Sequence, residues 1–86
     1  MEFDYYFKRL VKFQKCDVHE ERVQAEIVDF ISYLKSIYKD SFDDHSIKNC
    51  TKVYIENIEA KAYLVQYGQN FNVFLYEALI YYSENI

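Results

Sequence analysis

Proline is absent from this 86-residue chain and glycine occurs once, at Gly68. A chain with so few backbone breakers has few places to turn, and the spacing of its apolar residues decides what lies between them. Ten tyrosines and seven phenylalanines supply the rings for a core, each burying on the order of 150–250 Å². With 51% apolar and 28% charged residues, the chain is not a low-hydrophobicity disordered segment. Its length suits one domain.

Phe3, Tyr6, Phe7, Leu10 and Phe13 recur at spacings of three and four, which predicts an amphipathic helix over 3–15. Lys8, Lys12 and Lys15 line its other face. Asp17 followed by Glu20 is a capping-box pattern: one carboxylate accepts from an early backbone N–H and the other reaches back to the cap. It opens a helix over 18–40 with the stripe Val23, Ile27, Phe30, Ile31, Leu34, Ile37 and Tyr38. Residues 41–44 read as a loop in which Asp43 or Asp44 caps a third helix over 45–66. Its expected core positions are Ile47, Cys50, Thr51, Tyr54, Ile58, Ala62 and Val65. Gly68 stands where helices often end in a left-handed residue, and Asn70 is the expected cap of a fourth helix over 71–84.

The expected fold is therefore all-α, a compact four-helix bundle-like domain. The alternative is α+β: two N-terminal helices and a C-terminal hairpin, its strands at 63–67 and 71–76 joined by a tight turn at Gly68-Gln69. In the helical reading, Phe71, Phe74, Leu75, Ala78 and Tyr82 form one stripe of the last helix and Val73, Tyr76 and Ile80 a second. An all-round apolar helix is central to a core or shared with another chain, so Val73, Tyr76 and Ile80 are candidate contacts of a homodimer.

Two cysteines and two histidines fall as Cys16-x-x-His19 and His45-x₄-Cys50, a donor set that could surround tetrahedral zinc. The helix between the pairs rises about 1.5 Å per residue and holds them roughly 30 Å apart. No metal and no cofactor is expected. Cys50 reads as a core thiol, Cys16 as a loop thiol and the histidines as surface residues. No Gly-x-Ser-x-Gly elbow or glycine-rich phosphate loop is present, and a Cys–His nucleophile would join the same distant segments. An enzyme is not expected, and no catalytic residue is assigned.

The net charge is −4, from 14 acidic and 10 basic residues. Direct nucleic-acid binding and attraction to an anionic membrane both need clustered positive charge. The first 16 residues carry +2 through Lys8, Arg9, Lys12 and Lys15, but 17–30 follows with five acids against Arg22 alone. The longest apolar stretch falls far short of the ~20 residues that span a bilayer. An acidic start at Glu2 and Asp4 is unlike a secretory leader, so a reduced, cytoplasmic protein is expected.

Local acidity combined with surplus tyrosine favours a small protein that binds another protein with a basic surface, such as a nuclease toxin. Immunity proteins, antitoxins and anti-defence inhibitors share this composition. Carboxylates steer encounter with a cationic cleft, while tyrosines supply contact area at low entropic cost. The candidate partner-binding residues are Glu20, Glu21, Glu26 and Asp29, then Asp43 and Asp44, then Glu56 and Glu59. The alternative is a homo-oligomeric helical structural or regulatory module, such as a transcription accessory factor.

Overall fold

The computed structural model describes residues 2–38 and 44–85. Five helices follow in chain order: α1 (Glu2–Val11), α2 (Glu21–Tyr38), α3 (Asp44–Glu56), α4 (Ile58–Leu64) and α5 (Phe71–Glu84). The fold is all-α. No strand occurs among the described residues, and the two segments of the hairpin alternative lie in α4 with its following turn and in α5.

α5 is the central element, packed against α2, α3 and α4. Its residues Phe71, Phe74, Leu75, Ala78 and Leu79 are buried. Burying a large apolar side chain of this kind contributes roughly 1.5–3 kcal/mol. From α2, the face Val23, Ile27, Phe30, Ile31 and Leu34 meets it, as the 3.6-residue period predicts. Ile37 and Tyr38 depart from that stripe and are exposed. α1 lies across α2 and inserts Phe7 and Leu10.

The third predicted helix is in fact two. Asn57 adopts an extended conformation (φ −85°, ψ 123°), and its side-chain oxygen accepts from the Ala60 N–H at 2.9 Å. It thus ends α3 and caps α4, and the break turns the following face. Ile58 (79% exposed), Ala62 and Val65 (58%) point outward, and Leu64 takes the buried position instead. Ile47 and Thr51 are buried as expected, while Cys50 is exposed.

Two other boundaries shift. α1 stops at Val11 because 12–16 winds into tight turns, with Phe13 N–H donating to Leu10 O at 2.9 Å and Cys16 N–H to Phe13 O at 2.9 Å. The capping-box bonds form one step ahead of the helix: Asp17 N–H donates to Glu20 at 3.1 Å and His19 N–H to Asp17 at 2.8 Å. Those bonds close a turn, and α2 itself starts at Glu21. The left-handed residue after α4 is Asn70 (φ 65°), not Gly68, and the Asn70 side chain makes no capping bond. Gly68 is constrained by space instead: a Cβ there would stand 2.6 Å from Gln14 Oε1, so the Gln14 side chain would have to shift.

Candidate protein-binding surface

The carboxylates singled out in the sequence fall into three groups. In the first, Arg9 gathers the acids that face α1. It donates to Glu26 at 2.9 Å and to the Tyr5 hydroxyl at 2.8 Å, with Asp29 at 3.6 Å. The Glu26 bond, reinforced by Tyr5, pushes the guanidinium further above its ordinary value. Glu26 is 18% exposed at its side chain, and its second oxygen is buried with no hydrogen bond among the described residues. Glu26 is thus an internal partner of α1, and Asp29, exposed, stands at the edge of the same cluster.

A second polar chain ties α1 to α4. Tyr63 and Tyr67 share a hydrogen bond of 2.9 Å, Tyr67 donates to Asp4 at 2.7 Å, and Asp4 pairs with Lys8 at 3.0 Å. The Tyr67 hydrogen bond, helped by Lys8, holds the Asp4 carboxyl below its ordinary range. Burial first, then the bond to Asp4, pushes the Tyr67 phenol up.

The second group sits where the start of α2 meets the end of α5. Gln24 ties these elements by donating to Val18 O at 2.8 Å and to Ala78 O at 3.2 Å. His19 packs its ring edge-on against Tyr81 at 4.4 Å, and its Nδ1 lies 2.6 Å from Asp17. The His19 backbone bond, more than the ring, holds the Asp17 carboxyl below its ordinary range. Between the two helices runs a cleft of about 380 Å³ lined by Glu21, Ala25, Val28, Tyr81 and Tyr82 among others. Glu21 and Val28 are exposed, and Glu21 has no ion pair among the described residues. Glu20, beside them, is committed to Asp17 N–H and to Arg22 at 3.2 Å.

The third group is the α3–α4 corner, where Glu56 and Glu59 are exposed and carry no ion pair among the described residues. Asp43 lies outside the described residues, and Asp44 is described as backbone only, opening α3. Of the candidate oligomer contacts, Val73 is 41% exposed while Tyr76 and Ile80 are half-buried.

Among the described residues, no three His, Cys, Asp or Glu side chains converge on a metal site. Cys16, Asp17, His19 and Glu77 share a cleft. Arg22 donates to Cys16 Sγ at 3.3 Å and Asp17 takes His19 Nδ1, so three of the four have a partner, while Glu77 has no ion pair among the described residues. His19 is an exposed surface residue, as read from the sequence, while the His45 side chain lies outside the described residues. Cys50, read as a core thiol, is exposed.

An open apolar groove of about 560 Å³ lies between the first four helices, on residues none of which lines the α2–α5 cleft. Its walls include Phe7 of α1, Leu34 and Tyr38 of α2, Val53 and Tyr54 of α3, and Leu64 of α4. Burial pushes the Tyr54 phenol up from its ordinary value, with Cys50 and Tyr38 adding to the effect. The sequence reading put Tyr82 in the apolar stripe of the last helix and singled out neither Tyr81 nor this groove. The surplus of tyrosine pointed to exposed rings, but their placement depends on how α5 crosses α2.

No protein-family model matches the chain, and neither a curated protein nor a solved structure shows significant similarity to it. No helix among the described residues is long and apolar enough to cross a membrane.

Proposed function

We propose that this chain works by binding another protein, as an inhibitor that covers a basic functional surface such as a nuclease cleft. The observation that carries this reading is the α2–α5 cleft, which joins an exposed carboxylate without an ion pair among the described residues, Glu21, to the apolar side chains Ala25 and Val28 and to two tyrosines, Tyr81 and Tyr82. Hot spots of protein interfaces combine such rings with a rim of charge, and complementary charge speeds encounter with a cationic partner. Asp29 extends the negative rim along α2. Glu56 and Glu59 form a separate acidic corner available to a large partner. Glu20 and Glu26 hold the fold together rather than meeting the partner.

Affinity capture with the wild-type chain, compared with Glu21→Lys and Val28→Arg variants, tests the proposal. The expected result is a basic protein retained by the wild type, released by salt, and lost with either variant while the melting temperature is unchanged. Recovery of the chain alone, or retention unaffected by both variants, overturns it.

A second reading, a homo-oligomeric helical module joined through α5, draws on the exposure of Val73 beside half-buried Tyr76 and Ile80. Light scattering distinguishes the two. A dimer that survives dilution and is broken by Val73→Asp favours the oligomer.

A further inference from the structure

Acceptors predominate among the polar atoms left over in the α2–α5 cleft. Gln24 gives both hydrogens of its side-chain amide away, to Val18 O at 2.8 Å and Ala78 O at 3.2 Å. Backbone carbonyls can only accept, so the Gln24 oxygen is the atom left over. It makes no hydrogen bond among the described residues. Asn85 is turned the same way, its side-chain nitrogen donating to Tyr81 O at 2.9 Å. Both amides line the cleft together with the Glu21 carboxylate, which has no ion pair among the described residues. The hydroxyls of Tyr81 and Tyr82, able to donate or accept, complete the set. No lysine or arginine lines the cleft among the described residues. His19 does, but its Nδ1 lies 2.6 Å from the Asp17 carboxylate, so the pair brings no net positive charge.

We infer that this cleft receives an arginine side chain of the partner, its guanidinium set between the Glu21 carboxylate and the tyrosine rings. The inference rests on the protein-binding reading above and names the group that is recognised. A guanidinium is a planar cation with five N–H donors and no acceptor, so acceptors contributed by two helices suit it. Its flat face also stacks on aromatic rings. Tyr81 offers such a ring, packed against His19 at 4.4 Å, and Tyr82 lines the same cleft. A lysine ammonium is a compact, strongly hydrated charge, which uses the carboxylate but gains less from dispersed acceptors and rings. An anion would meet Glu21 with no cation to offset it. The volume of about 380 Å³ lies at the low end of the roughly 300–1,000 Å³ of ligand sites and suits one long side chain.

Three blocked amino acids separate these features without the partner: the N-acetyl N-methylamides of arginine, lysine and citrulline, the last a neutral isostere of arginine. Each is titrated into the full chain at constant ionic strength and followed by amide chemical shifts. The arginine derivative is expected to give saturable shifts on Glu21, Gln24, Tyr81 and Tyr82. The lysine derivative is expected to bind more weakly, and citrulline more weakly still. Glu21→Gln is expected to weaken arginine about two- to fivefold, the worth of an exposed ion pair. Tyr81→Leu is expected to weaken it by a similar factor, about that of an exposed cation–π contact, while Tyr81→Phe, which keeps the ring, binds as the wild type does. The inference is overturned by scattered or non-saturable shifts, by lysine or citrulline binding as tightly as arginine, or by affinity unchanged in Glu21→Gln. Capture of a basic protein by a chain that does not bind the arginine derivative overturns this inference and leaves the protein-binding reading standing. Arginine binding with no protein captured supports the arginine site and overturns that reading instead.

Discussion

Phe7 joins four segments that are distant in sequence. Its ring lies 5.5 Å from Phe30 of α2, 6.2 Å from Tyr63 of α4, 5.8 Å from Phe71 of α5 and 5.4 Å from Tyr67 beyond α4. Truncation leaves a cavity bounded by rings that are themselves fixed, so Phe7→Ala is expected to cost roughly 3–5 kcal/mol. Small domains have only about 5–15 kcal/mol in total, and urea unfolding would show a much lower midpoint at unchanged slope. At Gly68 the constraint is space, since its φ is not positive. Gln14 donates to Gln69 O at 2.6 Å and so pins the amide that an alanine would strike. Gly68→Ala is expected to lose on the order of 1 kcal/mol. Shortening the obstacle with Gln14→Ala is expected to make the double variant lose less than the sum of the single losses. Additive losses would mean that the amide moves aside freely. Asn70 is the converse case, with room for a side chain but a left-handed backbone, and Asn70→Ala is expected to cost about 1 kcal/mol where Asn70→Gly does not.

Helix boundaries rest on hydrogen bonds, and the Asn57 corner shows how one residue sets two of them. Its side chain caps the Ala60 N–H, and replacing a cap of this type with alanine costs about 1 kcal/mol. Asn57→Ala is expected to lower stability by that amount in thermal unfolding and to loosen Ile58–Leu64 first, seen as faster amide exchange in α4. The same corner explains what could and could not be read beforehand. In α2 the apolar stripe runs with no competing pattern, so Val23, Ile27, Phe30, Ile31 and Leu34 were legible as one buried face. Beyond Asn57 the residues Ile58, Ala62 and Val65 keep the helical period, yet the break rotates them outward. Period alone carries no record of a phase change; the asparagine was the only local signal, and it competes weakly with a long stripe. The ion pair of Glu26 was illegible for a similar reason. Its charge is plain in sequence, but its use by Arg9 follows from how α1 lies on α2. Glu21 and Glu59, free of such neighbours, stayed where an exposed acid is expected.

For the whole molecule, the tyrosines decide how the fold responds to pH. On the acid side, Asp4 and Asp17 have carboxyls held below their ordinary value in the folded state. Their contribution is complete above that value of about 4 and lost as pH falls through the lowered one. On the alkaline side the sign reverses. Tyr54 and Tyr67 have phenols raised in the folded chain, so the unfolded chain gives up those protons first. Their contribution is complete below the ordinary phenol value of about 10 and lost as pH rises beyond it. Absorbance of phenolate during an alkaline titration is therefore expected to show Tyr54 and Tyr67 ionising only as helical circular dichroism disappears. The Tyr54→Phe, Tyr67→Phe double variant loses a hydrogen bond to Asp4, so its stability at neutral pH falls. Its stability is nevertheless expected to decline less steeply above pH ~10 than that of the wild type, because the groups that drive the decline are gone. An unchanged slope in that range would show that the two phenols ionise without opening the fold.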